Sequence, residues 1–260
     1  MRRTLKLVSA LTIGLVGCGG GSGGGGDNDP PPPPPPPTQS AAGIWQGSLS
    51  SGGTLVNEIS CAVTVANELA CLFFDPVTGD LAGGSQGTLQ VDGNQVTGSG
   101  RSYAAPGYFL ADGSSVVANF TITGGTVSER STINATITSL GQTASLTAAF
   151  DTIYDRGSSL GTVAASYSTL NIYGDPASFS IDSTGALFSQ TQSGCVGNGE
   201  VRIIDSRFNV YDVEVDVSNC PGLNGNYDGL AVTTDFAATN DVFLFGVFNS
   251  SGGIVAASVK

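Results

Sequence analysis

Three groups of side chains in this chain have types and spacings that chemistry could use. Gly83-Gly84-Ser85-Gln86-Gly87 fits the Gly-x-Ser-x-Gly pattern of a nucleophile elbow. That device needs a strand–turn–helix to expose the serine and a histidine to take its proton. The chain has no histidine, so the commonest general base is missing. The segment reads as a loop between β-strands. Asp212, Glu214 and Asp216 alternate with Val213, Val215 and Val217. In a strand, every second residue shares a face, about 7 Å apart. Paired carboxylates can serve glycoside hydrolysis or hold calcium. Three on an outward face read as solvated surface. Tyr103, Tyr108 and Phe109 flank Pro106 and Gly107. They read as one aromatic loop, either a binding patch or a cover over the end of a barrel. The expectation is a protein without catalytic residues, metal ligands or cofactor.

The N-terminus carries a different kind of message. Arg2, Arg3 and Lys6 precede an apolar run from Leu7 to Val16. A basic start followed by a short apolar stretch is an export signal. The run is about half the roughly 20 residues a spanning helix needs. It ends in Leu15-Val16-Gly17-Cys18, which resembles the lipobox of bacterial lipoproteins. The resemblance implies cleavage between Gly17 and Cys18 by signal peptidase II. It also implies a diacylglyceryl group on the Cys18 thiol and an added N-acyl chain such as palmitate, which would make the lipid bilayer a partner. One myristoyl chain binds a membrane only marginally, whereas the three chains of such an anchor would hold permanently. Gly19 comes next. Family members kept in the inner membrane have Asp there, so the resemblance points to the outer membrane, with the exposed face left open.

Four cysteines remain: Cys61, Cys71, Cys195 and Cys220. Three pairings are formally possible. Short spacing favours Cys61–Cys71 and Cys195–Cys220, one bridge in each half. Zinc is the rival, but the spacings do not match and histidine is absent. Disulfides persist in exported proteins.

Charge narrows the partners. The chain has 9 basic and 21 acidic residues, for a net charge of −12. Residues 1–17 hold three of the basic residues and none of the acidic ones, so residues 18–260 are more negative still. Phosphate backbones require clustered Lys and Arg, which excludes a nucleic-acid role. The expected partner is a protein or a small ligand.

The elements that must position these groups are strands. Gly19–Gly26 reads as a flexible coil, and Pro30–Pro37 is an unbroken proline run. That run would rise about 3.1 Å per residue as a semi-rigid rod, roughly 25 Å in all. After it, β-branched residues alternate with small and polar ones, and turn residues recur throughout. Ile59, Cys61 and Val63 should face Phe73, Cys71 and Leu69 across a hairpin whose loop is Val65-Ala66-Asn67. That register satisfies the bridge and the buried face together. Turns are expected at Asp92-Gly93, Gly124-Gly125 and Gly141-Gln142. Eight strands fit residues 43–152. Eight more fit 163–172, 177–182, 186–192, 199–205, 209–217, 226–234, 241–248 and 253–259. Val201 and Ile203 should share the face of Val213, Val215 and Val217, which requires an even pairing sum. Cys195 and Cys220 give an odd one. The expected compromise is a bulge or loop irregularity near Gly197-Asn198-Gly199 or Ser218-Asn219.

The halves echo each other. Gly43-Ile44-Trp45 matches Ala165-Ser166-Tyr167, and Leu89–Asp92 matches Phe179–Asp182. The fold expectation is all-β: two consecutive eight-stranded antiparallel meander barrels, lipocalin- or streptavidin-like, after a disordered tether. One continuous β-sandwich or elongated sheet is the runner-up. The division is 1–17 signal, 18–40 tether, 41–157 first barrel and 158–260 second barrel. A tether followed by repeated barrels resembles surface lipoproteins of the transferrin-binding and factor-H-binding type. Gly43-x-Trp45 resembles the first-strand signature of lipocalins, in which the Trp closes the barrel base. Ser193-Gly194-Cys195, Asn209-Val210-Tyr211 and Asn226–Leu230 resemble proteobacterial lipoproteins of uncharacterised function. The functional expectation is a non-enzymatic, membrane-anchored interaction module. The alternative is a carrier that uses a barrel interior. Filled interiors would favour the module, and a cavity of several hundred Å3 the carrier.

Overall fold

The structure is a computed structural model that describes residues 38–260, except 171–175 and 192. The expected signal segment, Gly17, Cys18 and the expected tether through Pro37 lie outside the described residues.

The described residues form two closed antiparallel barrels, each a meander of eight strands. The first contains β1 Gly43–Ser51, β2 Thr54–Val63, β3 Glu68–Phe74, β4 Leu81–Asp92, β5 Gln95–Ala104, β6 Val117–Ser128, β7 Thr132–Ser139 and β8 Gln142–Asp151. The second contains β9 Ala165–Leu170, β10 Pro176–Ile181, β11 Ala186–Thr191, β12 Val196–Ile203, β13 Tyr211–Ser218, β14 Gly225–Thr234, β15 Val242–Phe248 and β16 Gly253–Val259. Pairing of β1 with β8, and of β16 with β9, closes each ring. The first seam is paired over seven residues and covers edges that Thr- and Val-rich strands would offer to other chains, whereas the second meets at the single pair Val259–Ser168.

The hairpin register follows the alternation of the sequence. Cys61 pairs with Cys71, Val63 with Leu69 and Ile59 with Phe73. Asn67 takes the left-handed conformation its loop requires, at φ 64°. Both expected disulfides are present, with Cα separations of 4.0 Å for Cys61–Cys71 and 4.6 Å for Cys195–Cys220. The β12–β13 ladder is unbroken and places Val201 opposite Val213, the even register. Residues 197–199 therefore carry no bulge. The odd cysteine pair is accommodated just past the end of β13, where Asn219 turns left-handed at φ 56°.

Three expectations about local structure are corrected. Gly124-Gly125 is not a turn. It is a bulge within β6: both glycines drop out of the ladder to β7, Gly125 still pairs with Val96 of β5 beside a register shift, and Gly124 supplies φ 62°. The chain reverses at Glu129–Ser131 instead, with Arg130 at φ 54°. The last turn of the first barrel is Leu140-Gly141, both with positive φ, and Gln142 already pairs with Ser139. Two positive φ values are what a two-residue hairpin turn demands. The Gly83–Gly87 segment is not a loop but lies inside β4. Of the two internal echoes, the first holds. Trp45 and Tyr167 are each the third residue of a barrel's first strand. Each donates a hydrogen bond to the carbonyl four residues earlier, Ala41 at 2.9 Å and Val163 at 2.8 Å. The second echo does not hold, because Leu89–Asp92 ends a fourth strand and Phe179–Ile181 a second.

Tight curvature requires glycine where strands crowd. A Cβ on Gly47 would sit 2.1 Å from the Thr147 carbonyl oxygen, and one on Gly199 would sit 2.0 Å from that of Glu214. Any side chain there would force adjacent strands apart.

The barrels join through a 3-10 turn, Thr152–Arg156, and a short helix, α1 Leu160–Val163. Asp151 and Ser159 cap them, accepting from the Ile153 and Thr162 amides. Outward-facing Ile44, Ala62, Ala70, Leu72 and Tyr103 of the first barrel pack with Leu230, Val232, Leu244, Phe248 and Val255 of the second. This apolar layer between the barrels is why both faces of β14 and β15 are buried.

Candidate functional site

The two interiors differ. In the second barrel, Tyr167, Phe179, Phe243 and Phe245 pack ring against ring, with centroids 4.8–6.1 Å apart. Val201, Val213, Val215, Val217 and Tyr211 fill the remainder. The Tyr211 hydroxyl meets the backbone of Ser159, and that of Tyr227 donates to the Leu223 carbonyl at 3.0 Å. The interior is a packed core.

The first barrel uses smaller residues at inward positions, among them Gly47, Ser85, Gly87, Gly100, Ser102 and Ala135. The result is a cavity of about 340 Å3. This is within the range of small-molecule sites, about 300–1,000 Å3. Its floor is Trp45, 1% exposed, whose ring meets Phe150 edge-on at 5.6 Å. Leu, Ile, Val and Phe side chains make most of the wall, including Ile59, Leu89, Phe120 and Ile122. The Cys61–Cys71 bridge lies in that wall. Tyr108, Phe109, Leu110 and Ala111 of the β5–β6 loop line the mouth, together with Asp75 and Asn57.

One line of paired residues runs around the wall. Trp45 pairs with Cys61, Cys61 with Cys71, Cys71 with Ser85, and Ser85 with Ser102. Barrel strands tilt about 35–45° from the axis, so this line climbs from the floor towards the mouth. It places two serine hydroxyls part-way up an otherwise apolar wall.

The mouth loop is held by its own polar groups. The Leu110 amide donates to the Ser115 carbonyl at 2.8 Å, and the Ala105 amide to Ala82 at 2.8 Å. The Asp112 carboxylate accepts from the Ser115 hydroxyl at 2.6 Å and amide at 2.8 Å. These bonds, the Ser115 hydroxyl first, hold its pKa well below the usual carboxylate range. Large apolar side chains surround this end. Leu55, Val56, Val77, Phe109, Val116 and Leu140 are all exposed; Leu55 and Val56 lie at the start of β2 and the others in three of the connections at the mouth end.

The structure separates the sequence candidates. Tyr108 and Phe109 belong to the mouth. Tyr103 does not belong to their loop. It lies in β5 with its ring turned outward, 5% exposed, against the second barrel. Its neighbours in the strand, Ser102 and Ala104, line the cavity, so the alternation turns the Tyr103 ring outward. Ser85 of the Gly-x-Ser-x-Gly segment faces the cavity, 4% exposed, with no histidine to activate it. Asp212 and Glu214 form ion pairs with Arg202, while Glu200 approaches the same guanidinium at 3.2 Å. The hydrogen bond from Arg202 lowers the Glu214 pKa. Among the described residues, no group of three acidic or cysteine side chains is placed to hold a metal. The Ser85–Ser102 pair and the apolar rim were missed in the sequence. The available signal was the run of Gly and Ser at inward positions of β4 and β5.

No protein-family model, curated protein or solved structure matches the chain.

Proposed function

We propose that the first barrel binds a small, largely apolar molecule and that the second is a packed scaffold braced against it. The observation that carries this reading is the contrast between the two interiors, one hollow and apolar, the other filled with aromatic rings. A hollow interior leaves its lining without packing partners, so filling it with a ligand gains contacts that the empty barrel lacks. The apolar mouth offers such a ligand a path from water to the interior.

The reading extends to the cell envelope. An exported chain with disulfides and a lipobox-like Leu15–Cys18 would be anchored through acylated Cys18 at the outer membrane. The described chain reaches the first barrel at the floor end, where the Gln39 amide donates to the Gly93 carbonyl at 2.7 Å. The mouth opens at the other end, so an anchor on this tether would leave it free. We propose a carrier or sensor of a small ligand in this setting, without enzymatic activity.

Equilibrium dialysis with the uncharged apolar fluorophore N-phenyl-1-naphthylamine tests the proposal. One molecule should bind per chain, and Ala135→Phe or Ala144→Phe, which fill the cavity, should abolish binding. No binding to the wild type, or full binding to both folded variants, would overturn it.

A second reading, a docking surface for a macromolecule, draws on the exposed rim. Leu140→Ser and Val77→Ser would weaken docking while leaving fluorophore binding intact.

A further inference from the structure

We propose that the molecule taken by the first barrel is uncharged, with an apolar body and one hydroxyl or carbonyl group met inside the cavity by Ser85 and Ser102. This rests on the reading of the cavity as a ligand site and adds which chemistry it selects.

The first argument is the serine pair. Ser85 and Ser102 face each other across β4 and β5, and both line the cavity. Neither hydroxyl bonds to another described residue, and Ser85, 4% exposed, and half-buried Ser102 both open onto the cavity. A ligand that displaces water from the cavity must hydrogen-bond these hydroxyls or leave them unpaired at a cost, whereas alanine in their place would impose no such demand. Inward neighbours on the same strands are Gly87 and Gly100, with Leu89 beyond. The two hydroxyls are thus an isolated polar spot that whatever fills the cavity must satisfy.

The second argument is charge. Among the described residues, no Lys or Arg lines the cavity. Arg101, next to Ser102 in sequence, points to the other face of the strand and donates to the Ser250 carbonyl at 3.3 Å. The ionisable group most clearly at the mouth is Asp75, which accepts the Val77 amide at 2.8 Å and the Thr78 amide at 3.0 Å. Those bonds, that from Thr78 first, lower its pKa, so it is ionised at neutral pH. A carboxylate or phosphate entering here would pass an anion and lose its water with no cation to replace it. A neutral hydroxyl or carbonyl loses far less and gains the serines. The amphiphile this site fits is an alcohol, ketone or ester rather than a fatty acid.

The test is displacement of N-phenyl-1-naphthylamine at pH 7.5 by 1-decanol and by decanoate, which share a chain length and differ in charge. Decanol should displace at least about ten-fold more strongly. Ser85→Ala and Ser102→Ala should each weaken decanol about five-fold, the worth of one ordinary hydrogen bond, and narrow its advantage over decanoate by the same factor. Circular dichroism confirms that the variants remain folded. Equal displacement by decanoate, or decanol binding unaffected in both variants, would overturn the inference while leaving the cavity as a ligand site. Failure of the fluorophore to bind the wild type would overturn both.

Discussion

The Tyr103 hydroxyl donates to the Asn249 carbonyl at 2.8 Å, and its ring stacks on Phe248 with centroids 4.7 Å apart. A residue of β5 in the first barrel thus reaches both the last strand residue and the turn of a hairpin in the second. Phe248 is fully buried in the layer between the barrels. Phe248→Ala should cost about 3–5 kcal/mol, whereas Tyr103→Phe should cost about 1 kcal/mol, the worth of one hydrogen bond. Urea denaturation measures both. Equal effects would mean that the hydrogen bond, rather than packing, holds this contact.

Asn209 ties the joining segment to the second barrel. Its side-chain amide donates to the Thr233 carbonyl at 2.7 Å and the Ile153 carbonyl at 3.2 Å, and its oxygen accepts from the Thr233 amide and hydroxyl. The residue is fully buried. Asn209→Leu would strand the Thr233 groups, so a loss of about 2–3 kcal/mol is expected in the same denaturation experiment.

The bridges should differ in worth because they close loops of different length. Cys61–Cys71 spans 10 residues and Cys195–Cys220 spans 25. Loop-closure entropy gives about 2–3 kcal/mol for the first and about 3–4 kcal/mol for the second. Double alanine variants, compared by denaturant midpoint, should fall in that order.

Acid should loosen the contact between the joining 3-10 turn and the β14–β15 loop. Asp235 forms a two-pronged pair with Arg156 at 2.6 and 2.7 Å and accepts the Asn240 amide at 2.8 Å. The Arg156 hydrogen bonds hold its pKa down to about 2. An unfolded Asp titrates near 4. A depressed folded pKa stabilises the fold above the unfolded value, and that contribution is lost as pH falls from about 4 to about 2. Melting temperature followed over this window should fall less steeply in Asp235→Asn than in the wild type.

Much of the fold was legible because strand alternation and turn chemistry agree. Cys61, Val63 and Ile59 sit on one face with their partners in only one register, and Val213, Val215 and Val217 do the same in β13. Gly124-Gly125 misled because a glycine pair serves a bulge as well as a turn, and only the partners on both sides of β6 decide between them. Tyr103 misled because its loop neighbours are aromatic, while the strand's inside–outside alternation turns its ring away from them. The cavity was legible only as an open question. Its existence depends on the summed volume of inward side chains around a closed ring, and no single strand reports that sum.

Trp45 allows the most direct test of the central claim. It is the single tryptophan of the chain and forms the cavity floor, so its emission reports occupancy of that interior alone. N-phenyl-1-naphthylamine should quench Trp45 saturably at one molecule per chain, and the quenching should vanish in folded Ala135→Phe. Binding that leaves Trp45 emission unchanged and survives Ala135→Phe would place the molecule on the outer rim and contradict the account of the first barrel as a carrier.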